Sequence, residues 1–263
     1  MEKAWQRQLK EQKAAIYGTE EIKDIKTAEI KETTREIAKE IIYQYEWLGG
    51  LGNATSYYGI FWGTSCEGIV CFGFPSASGS REKRHPLDSV VGNGYGKHVV
   101  QLVRGACSHL AHKHSASKLI SQACKLYSIK DQSAKIIMAY ADERAGEIGT
   151  VYQACNWLYI GKTNPRNRDS HYIINNKCYD ARDAAKIFGS VSKETLDKID
   201  KNWTTIKRTP KHQYLFWVGD KKEYKLWLKN IAVLPYPKRN EGMVVEKYIN
   251  HKKHQESRQL YLV

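Results

Sequence analysis

Three side chains with the chemistry needed for group transfer lie in one stretch of the chain: Arg104, Asp142 and Tyr152. Arg104 follows an apolar strand predicted at 99–103, and a buried arginine needs a carboxylate or a phosphate as its partner. Asp142 follows a second apolar strand, predicted at 135–140. If these strands are neighbours, the two side chains form either a structural ion pair or an anion-binding arginine beside a general base or metal-binding carboxylate.

Tyr152 and Asn156 are predicted to share one face of a short helix, because they are four residues apart. A phenol can donate a proton to a leaving group, bind an iron-type metal, or pack with its hydroxyl bonded. Asn156 is assigned to the donor-binding site. Glu46, in a glycine-rich turn at 45–53, is a further candidate base or metal ligand, since carboxylates suit iron and manganese. The alternative for Glu46 is a solvated surface carboxylate.

A short polar segment at 112–117 opens an amphipathic helix that is predicted to run through Tyr127. Ser115 or Ser117 can cap this helix, and the small residues let a ligand approach the backbone. The N-terminus of a helix favours anions such as the phosphates of a donor molecule. An ordinary serine cap is the alternative. The donor-binding candidates here are His112, Lys113, Ser115, Ala116 and Ser117.

The positive charge of the chain is concentrated in its C-terminal part. Of the net +14, residues 161–263 carry +11 (22 Lys and Arg against 11 Asp and Glu), and residues 1–160 carry +3. A basic face interleaved with aromatic side chains favours nucleic acid, although a solubilising surface has similar composition. Aromatic residues could also stack a base flipped out of a duplex. The DNA-binding candidates are Lys211, His212, Tyr214, Lys238 and Arg239.

Composition excludes several classes of protein. The 263 residues have a mean hydropathy of −0.60, contain no apolar stretch long enough to span a membrane, and begin without the apolar core of a signal peptide. The six cysteines form no CxxC pair, which predicts free thiols rather than a disulfide framework or a zinc site. These features predict a cytoplasmic protein without a membrane partner.

Periodicity predicts the order of the elements. We expect a charged, exposed helix at 1–17, a strand within 20–30, and a helix capped at Thr33-Thr34. A hairpin of strands at 57–62 and 68–74 is followed by a long loop at 75–97. Further strands and helices then alternate through the region of Arg104 and Asp142, and another strand is expected at 215–218.

The order of these elements resembles the core of the acyl-CoA N-acetyltransferases (the GNAT fold). The run at 140–157, together with 102–104 and 233–238, resembles more narrowly the Mom family of phage DNA-modification enzymes. The resemblance implies an α/β fold, GNAT-like, with a mixed central sheet, helices on both faces and a basic C-terminal extension. It divides the chain into an exposed N-terminal helix (1–19), a catalytic core (20–161) and a basic lobe that binds nucleic acid (162–263).

The resemblance also implies an activity: transfer of an acyl-derived, carbamoylmethyl-type group to N6 of adenine in double-stranded phage DNA, which protects that DNA from restriction. It implies functional roles for residues matching Arg104, Asp142 and Tyr152. The glycines usual in the phosphate turn of acetyltransferases are missing here, which weakens the case for acetyl-CoA specifically. The donor therefore stays open between acetyl-CoA and an aminoacyl-tRNA. An early His-Tyr pair of metal ligands is also missing, which leaves Asp142, Tyr152 and Glu46 as candidates for an iron-type metal.

Two other functions stay open at this stage. The chain could be an N-acyltransferase that acts on tRNA or a protein amine, or a non-catalytic nucleic-acid-binding protein derived from the GNAT fold. The sequence leaves the oligomeric state open, a homodimer included. Mass spectrometry of nucleosides from cells that make the protein separates these functions.

Overall fold

The computed structural model describes residues 3–18, 24–75, 87–164 and 169–239. The chain divides into two compact units: residues 1–161 together with 212–263 (the main unit) and residues 162–211 (the small unit). The helices of the main unit are α1 (Trp5–Tyr17), α2 (Arg35–Tyr45), α3 (Asp88–Val91), α4 (Ser115–Lys130), α5 (Thr150–Ala154) and, after the small unit, α8 (Lys221–Leu228). Its strands are β1 (Glu29–Glu32), β2 (Ala54–Trp62), β3 (Ser65–Gly73), β4 (Val99–Cys107), β5 (Ile136–Asp142), β6 (Leu158–Lys162) and β10 (Lys211–Trp217).

The central feature of the main unit is a seven-stranded sheet with the order β1-β2-β3-β4-β5-β10-β6. Strands β1 to β4 pair antiparallel, whereas β4 and β5 pair parallel. The parallel pair needs a crossover connection, which α4 supplies. The sheet is therefore mixed.

Helices cover both faces of this sheet. Ile69 and Cys71 of β3 pack in one buried cluster with α1 and α2, whereas their neighbours Val70 and Phe72 pack in another cluster with α4. Successive side chains of a strand point to opposite faces, so a strand buried on both faces is apolar throughout. The prediction of an α/β fold with a mixed central sheet and helices on both faces is confirmed.

Several predicted elements are found. Thr34 caps α2, and its hydroxyl accepts a hydrogen bond from the amide of Ile37. The hairpin of β2 and β3 is present with slightly longer strands than predicted. Within the region predicted as the long loop, residues 76–86 lie outside the described residues, and 88–91 form the short helix α3.

Two predictions about the N-terminal region are wrong. The strand predicted within 20–30 is instead β1 at 29–32, preceded by a 3-10 helix at 25–27; residues 19–23 lie outside the described residues. The four residues of β1 lie on the edge of the sheet and are mostly exposed, so they show no alternation of apolar and polar residues that would predict a strand there. Helix α1 is not exposed throughout, because Trp5 and Leu9 are buried against α2.

The predicted basic lobe, 162–263, divides between the two units. Residues 162–211 form the small unit: strands β7 (Asp169–Ile174), β8 (Lys177–Asp180) and β9 (Thr204–Lys207), with helices α6 (Ala181–Phe188) and α7 (Lys193–Ile199). Strand β10 instead lies between β5 and β6 in the main sheet. The sequence composition does not indicate the boundary between the two units at residue 212, since basic residues occur on both sides of it.

Two consequences of composition can be compared with the structure. The five cysteines whose side chains are described, at 66, 71, 107, 124 and 155, are free. Burial raises the pKa of Cys71 to about 12, so its thiol behaves as a small apolar group. No helix within the described ranges is long and apolar enough to cross a membrane.

Gly149, which precedes α5, provides a test of this packing. It has a φ of +78°, and a Cβ atom there would lie 2.3 Å from Cε2 of Tyr214. We expect Gly149→Ala to lower the free energy of unfolding by about 1–2 kcal/mol for the left-handed backbone and about 1–3 kcal/mol more for the steric overlap. Gly94→Ala is the matched control, because its φ is +80° and no atom lies within 4 Å. Equal losses in urea unfolding would contradict the packing around Tyr214.

Candidate active site

Arg104 lies inside β4 and not at its end, because the strand continues to Cys107. The pairing with β5 nevertheless stops at Leu102 and Ala139, so the two parallel strands separate before Arg104. The pairing with β3 passes from Leu102 directly to Arg104, which leaves Val103 as a β-bulge. A bulge re-aims the neighbouring side chain. Arg104 therefore occupies a separated and irregular part of the sheet.

The carboxylate partner of Arg104 is Glu46. Nε of Arg104 lies 3.8 Å from Oε2 of Glu46 and donates to the carbonyl of Gly50 at 2.7 Å; Nη1 donates to the carbonyl of Val103 at 2.7 Å. Asp142 is not among the residues that Arg104 contacts in the described ranges. The alternative of a structural ion pair between Arg104 and Asp142 is therefore wrong, and the ion pair of Arg104 is with Glu46.

Glu46 is buried and not solvated. It follows the last residue of α2, and its Oε2 accepts hydrogen bonds from the amides of Leu48 (2.8 Å) and Gly49 (3.1 Å). Arg104 retains 19% of its side-chain surface, against 8% for Glu46. The carboxylate thus holds the turn and the guanidinium together.

Asp142 is the last residue of β5 and is buried, with 8% of its surface exposed. Its Oδ1 accepts a hydrogen bond from the amide of Arg144 at 3.0 Å and so caps the 3-10 helix at 143–145. Like Arg104, it lies beyond the last paired residues of β4 and β5. Arg104 and Asp142 thus both lie on the segments of β4 and β5 that follow their last paired residues.

Tyr152 lies in α5 within a group of buried aromatic rings. Its ring centroid lies 5.0 Å from that of Trp157 and 5.3 Å from that of Tyr214. Burial raises the pKa of the Tyr152 phenol far above its usual range, so the hydroxyl stays protonated. Asn156 does not share its helical face, because α5 ends at Ala154 and Asn156 is an exposed residue with a φ of +58°.

The first turn of α4 differs from the prediction of a serine cap. The residue that caps this helix is His114, without a side-chain bond, and Ser115 is the first helical residue. Ser115 is fully buried, and its Oγ has no hydrogen-bond partner within the described chain. Ser117 Oγ donates to the carbonyl of His114 at 3.0 Å. Around them, Lys113 is exposed, whereas His112 and Ala116 are partly buried.

A chain of three polar side chains, formed by Glu143, His212 and Tyr159, begins at the residue that follows Asp142, and sequence reasoning missed two of its members. Nδ1 of His212 lies 2.9 Å from the hydroxyl of Tyr159, and its Nε2 lies 2.8 Å from Oε1 of Glu143. His212 has 2% of its surface exposed. The alternation of Lys211-His212-Gln213-Tyr214 before an apolar run could have indicated that His212 and Tyr214 point into the core.

The predicted DNA-binding residues are dispersed. His212 and Tyr214 are buried (2% and 0% exposed), so they are not available to a nucleic-acid surface. Lys238 is exposed, whereas Arg239 donates a hydrogen bond to the carbonyl of Gly146 in the main unit. Lys211 belongs to the small unit and is partly buried.

The candidate metal ligands do not form a metal site. Glu46 is engaged by two amides and by Arg104, and Tyr152 has a protonated phenol among aromatic rings. No group of three His, Cys, Asp or Glu side chains arranged to hold a metal ion occurs within the described ranges. We therefore derive no step through a metal.

Residues 27–238 match the model of the Mom protein family, and the chain belongs to that family. It is an enzyme, as predicted. A relative is the methylcarbamoylase Mom of Escherichia phage Mu, which is 23% identical over 188 residues, covering 72% of this chain and 74% of that protein.

Several solved acyltransferase structures are distantly similar. One is a Bacillus subtilis acetyltransferase in complex with CoA: 11% identity, 73% of this chain and 97% of that chain, TM-score 0.38. Another contains mutant forms of the spermidine/spermine N-acetyltransferase SpeG from Vibrio cholerae; it is 9% identical, the match covers 77% of this chain and 98% of that chain, and the TM-score is 0.39. A third is FeeM, an N-acyl amino acid synthase from uncultured soil microbes; it is 12% identical, the match covers 73% of this chain and 91% of that chain, and the TM-score is 0.37. These similarities are too weak to indicate a donor or an acceptor.

The contacts of Glu46 predict a cost for neutralising it. In Glu46→Gln the two amides and Arg104 lose a charged acceptor, so we expect the free energy of unfolding to fall by about 1–3 kcal/mol. Glu40→Gln on the same helix is the control, since Glu40 is exposed and its change should stay within about 0.5 kcal/mol. Urea unfolding of both variants measures the difference, and equal stabilities would show that Glu46 does not hold the turn.

Proposed function

We propose that this enzyme transfers an acyl-derived, carbamoylmethyl-type group to N6 of adenine in double-stranded DNA and works in the cytoplasm of a host cell. The observation that carries the proposal is the parting of β4 and β5, with Arg104 on one separated segment and Asp142 on the other. Membership of the Mom family and the methylcarbamoylase activity named for the phage Mu relative support it.

The acceptor determines what the site has to do. The lone pair of the exocyclic amine of adenine is delocalised into the ring, so the amine is a poor nucleophile. Its nitrogen must form the new bond and lose a proton, while the leaving group of the donor departs with the bonding electrons. Stabilising the charge that develops is usually the largest contribution to such catalysis.

Three residues take the roles in this proposal. Arg104, whose side chain is 19% exposed, orients the donor or polarises its carbonyl. Asp142 accepts a hydrogen bond from the amine and then, as general base, takes the proton that the amine loses when the new bond forms. Tyr152 donates a proton to the leaving group, the role that its counterpart position in the family implies.

The first turn of α4 is the proposed place for the donor. The buried Oγ of Ser115 and the amides of this turn offer hydrogen-bond donors to an anionic group. Lys113 adds a positive charge at the surface beside it. Acetyl-CoA and an aminoacyl-tRNA both carry phosphates. An experiment that supplies each as an isotope-labelled donor to the purified protein and duplex DNA distinguishes them, because only the true donor transfers its label to the DNA.

Asp142→Asn tests the role of the carboxylate. The asparagine oxygen can still accept from the amide of Arg144, so the cap is retained and the fold should survive. We expect modified deoxyadenosine, measured by mass spectrometry of nucleosides, to fall by at least about 100-fold, the loss typical of a removed acid or base. A folded Asp142→Asn protein that modifies DNA at the wild-type level would contradict this mechanism.

Tyr152→Phe tests the proton donor. The substitution removes only the hydroxyl, so the packing against Trp157 and Tyr214 is retained. We expect the thermal unfolding temperature to stay within a few degrees of wild type, while the rate of modification falls by at least about 100-fold. Tyr179→Phe in the small unit is the control, and its rate should be unchanged. Normal turnover by Tyr152→Phe would assign the protonation step to another group.

A further inference from the structure

The small unit has a core of its own. Tyr172 and Ile174 of β7, Ala184 of α6 and Leu196 of α7 are buried together, and partly buried residues such as Trp203 pack around them. Its three strands form an antiparallel sheet with the order β8-β7-β9. Two helices packed on three strands therefore form a distinct structural unit, whose role the proposed catalytic residues do not explain.

The two helices of this unit are joined by a four-residue turn. Helix α6 ends at Phe188, and α7 begins at Lys193. Gly189 has a φ of +75°, the left-handed conformation that ends many helices, and Ser192 caps α7 by accepting a hydrogen bond from the amide of Thr195. Two helices joined by a short turn that contains glycine are the pattern of the helix-turn-helix motif.

The charge of the unit is complementary to a polyanion. Residues 162–211 contain 12 Lys and Arg against 6 Asp and Glu, a net charge of +6. Leu196 is the buried residue of α7, whereas Lys193, Glu194 and Lys198 are exposed on it. Asp197 is also in α7, so the charges of this helix balance and the positive excess is carried by the residues around it, of which Lys186 of α6 and Lys201 after α7 are exposed. A unit with this net charge suits phosphates better than an apolar protein partner.

We propose that α6 and α7 form a helix-turn-helix that binds duplex DNA, with α7 in the major groove and the lysines around it on the phosphates. The major groove of B-form DNA admits a helix, and its base edges distinguish all four base pairs. The narrow, deep major groove of duplex RNA does not admit one. The small unit would then determine which DNA sequence is bound, whereas the residues of the main unit would carry out the reaction.

The test uses the full-length protein with a double charge reversal, Lys193→Glu/Lys198→Glu, and a labelled duplex of about three helical turns. We expect the Kd from fluorescence anisotropy to rise at least about tenfold, and the slope of log Kd against log salt to fall by about 2. The matched control is Lys125→Glu/Lys225→Glu, which changes the net charge equally at two exposed lysines of the main unit. Its Kd should change less than about threefold.

Three results would overturn the proposal: equal losses in both double variants, no loss in the first, or equal affinity for duplex RNA and duplex DNA. If charge reversal unfolds the small unit, Lys193→Gln/Lys198→Gln decides instead, because it adds no negative charge. That variant should lose affinity in the same direction by a smaller factor, and wild-type affinity would contradict the proposal.

This inference rests on the proposed function only in identifying the bound duplex as the substrate. Binding assays need no turnover, so the two can fail separately. Tight duplex binding through α7 by a protein that never modifies adenine removes the proposed function and leaves the helix-turn-helix. Modification that continues at the wild-type level and at the same sites after charge reversal removes the helix-turn-helix and leaves the proposed function.

Discussion

Parallel strands support each other through hydrogen bonds only while they run side by side, and β4 and β5 do so only as far as Leu102 and Ala139. Beyond those residues both strands continue, and their backbone groups need other partners, because an unpaired buried polar group is costly. The carbonyl of Val103 accepts from Arg104, and the carbonyl of Asp142 accepts from the amide of Glu147. The separation therefore creates a polar region between two strands of the sheet, and the candidate site depends on it.

Charged groups placed this deep must be compensated, and the chain compensates them locally. Glu46 accepts from two amides of its own turn and lies beside Arg104. Breaking a buried pair costs more than forming it contributes, because one charge is left without a partner. Such pairs hold side chains in fixed positions before a substrate arrives, and preorganisation of this kind is what electrostatic catalysis uses.

The main unit and the small unit differ in their charge and in what their packed residues supply. The main unit supplies the sheet, the buried polar groups and the first turn of α4, whereas the small unit has its own core and an excess of basic residues. An enzyme that modifies a base has two tasks, which are to hold a polyanion and to react at one of its atoms. In the function proposed here, the first task uses exposed lysines and the second uses side chains removed from water.

The sequence by itself determined the α/β class, the hairpin of β2 and β3 and the cap at Thr34, because these depend on the order of the elements, on local periodicity and on capping. It also identified the Mom family from an ordered set of motifs. Only the tertiary structure decided that Arg104 pairs with Glu46, that His212 and Tyr214 are buried, and that the basic C-terminal region divides between two units. Each of these depends on contacts between residues far apart in the chain, such as β10 entering the main sheet after the small unit. Local composition is the same whether a basic or aromatic residue faces solvent or the core, so only the packing of distant segments could decide between them.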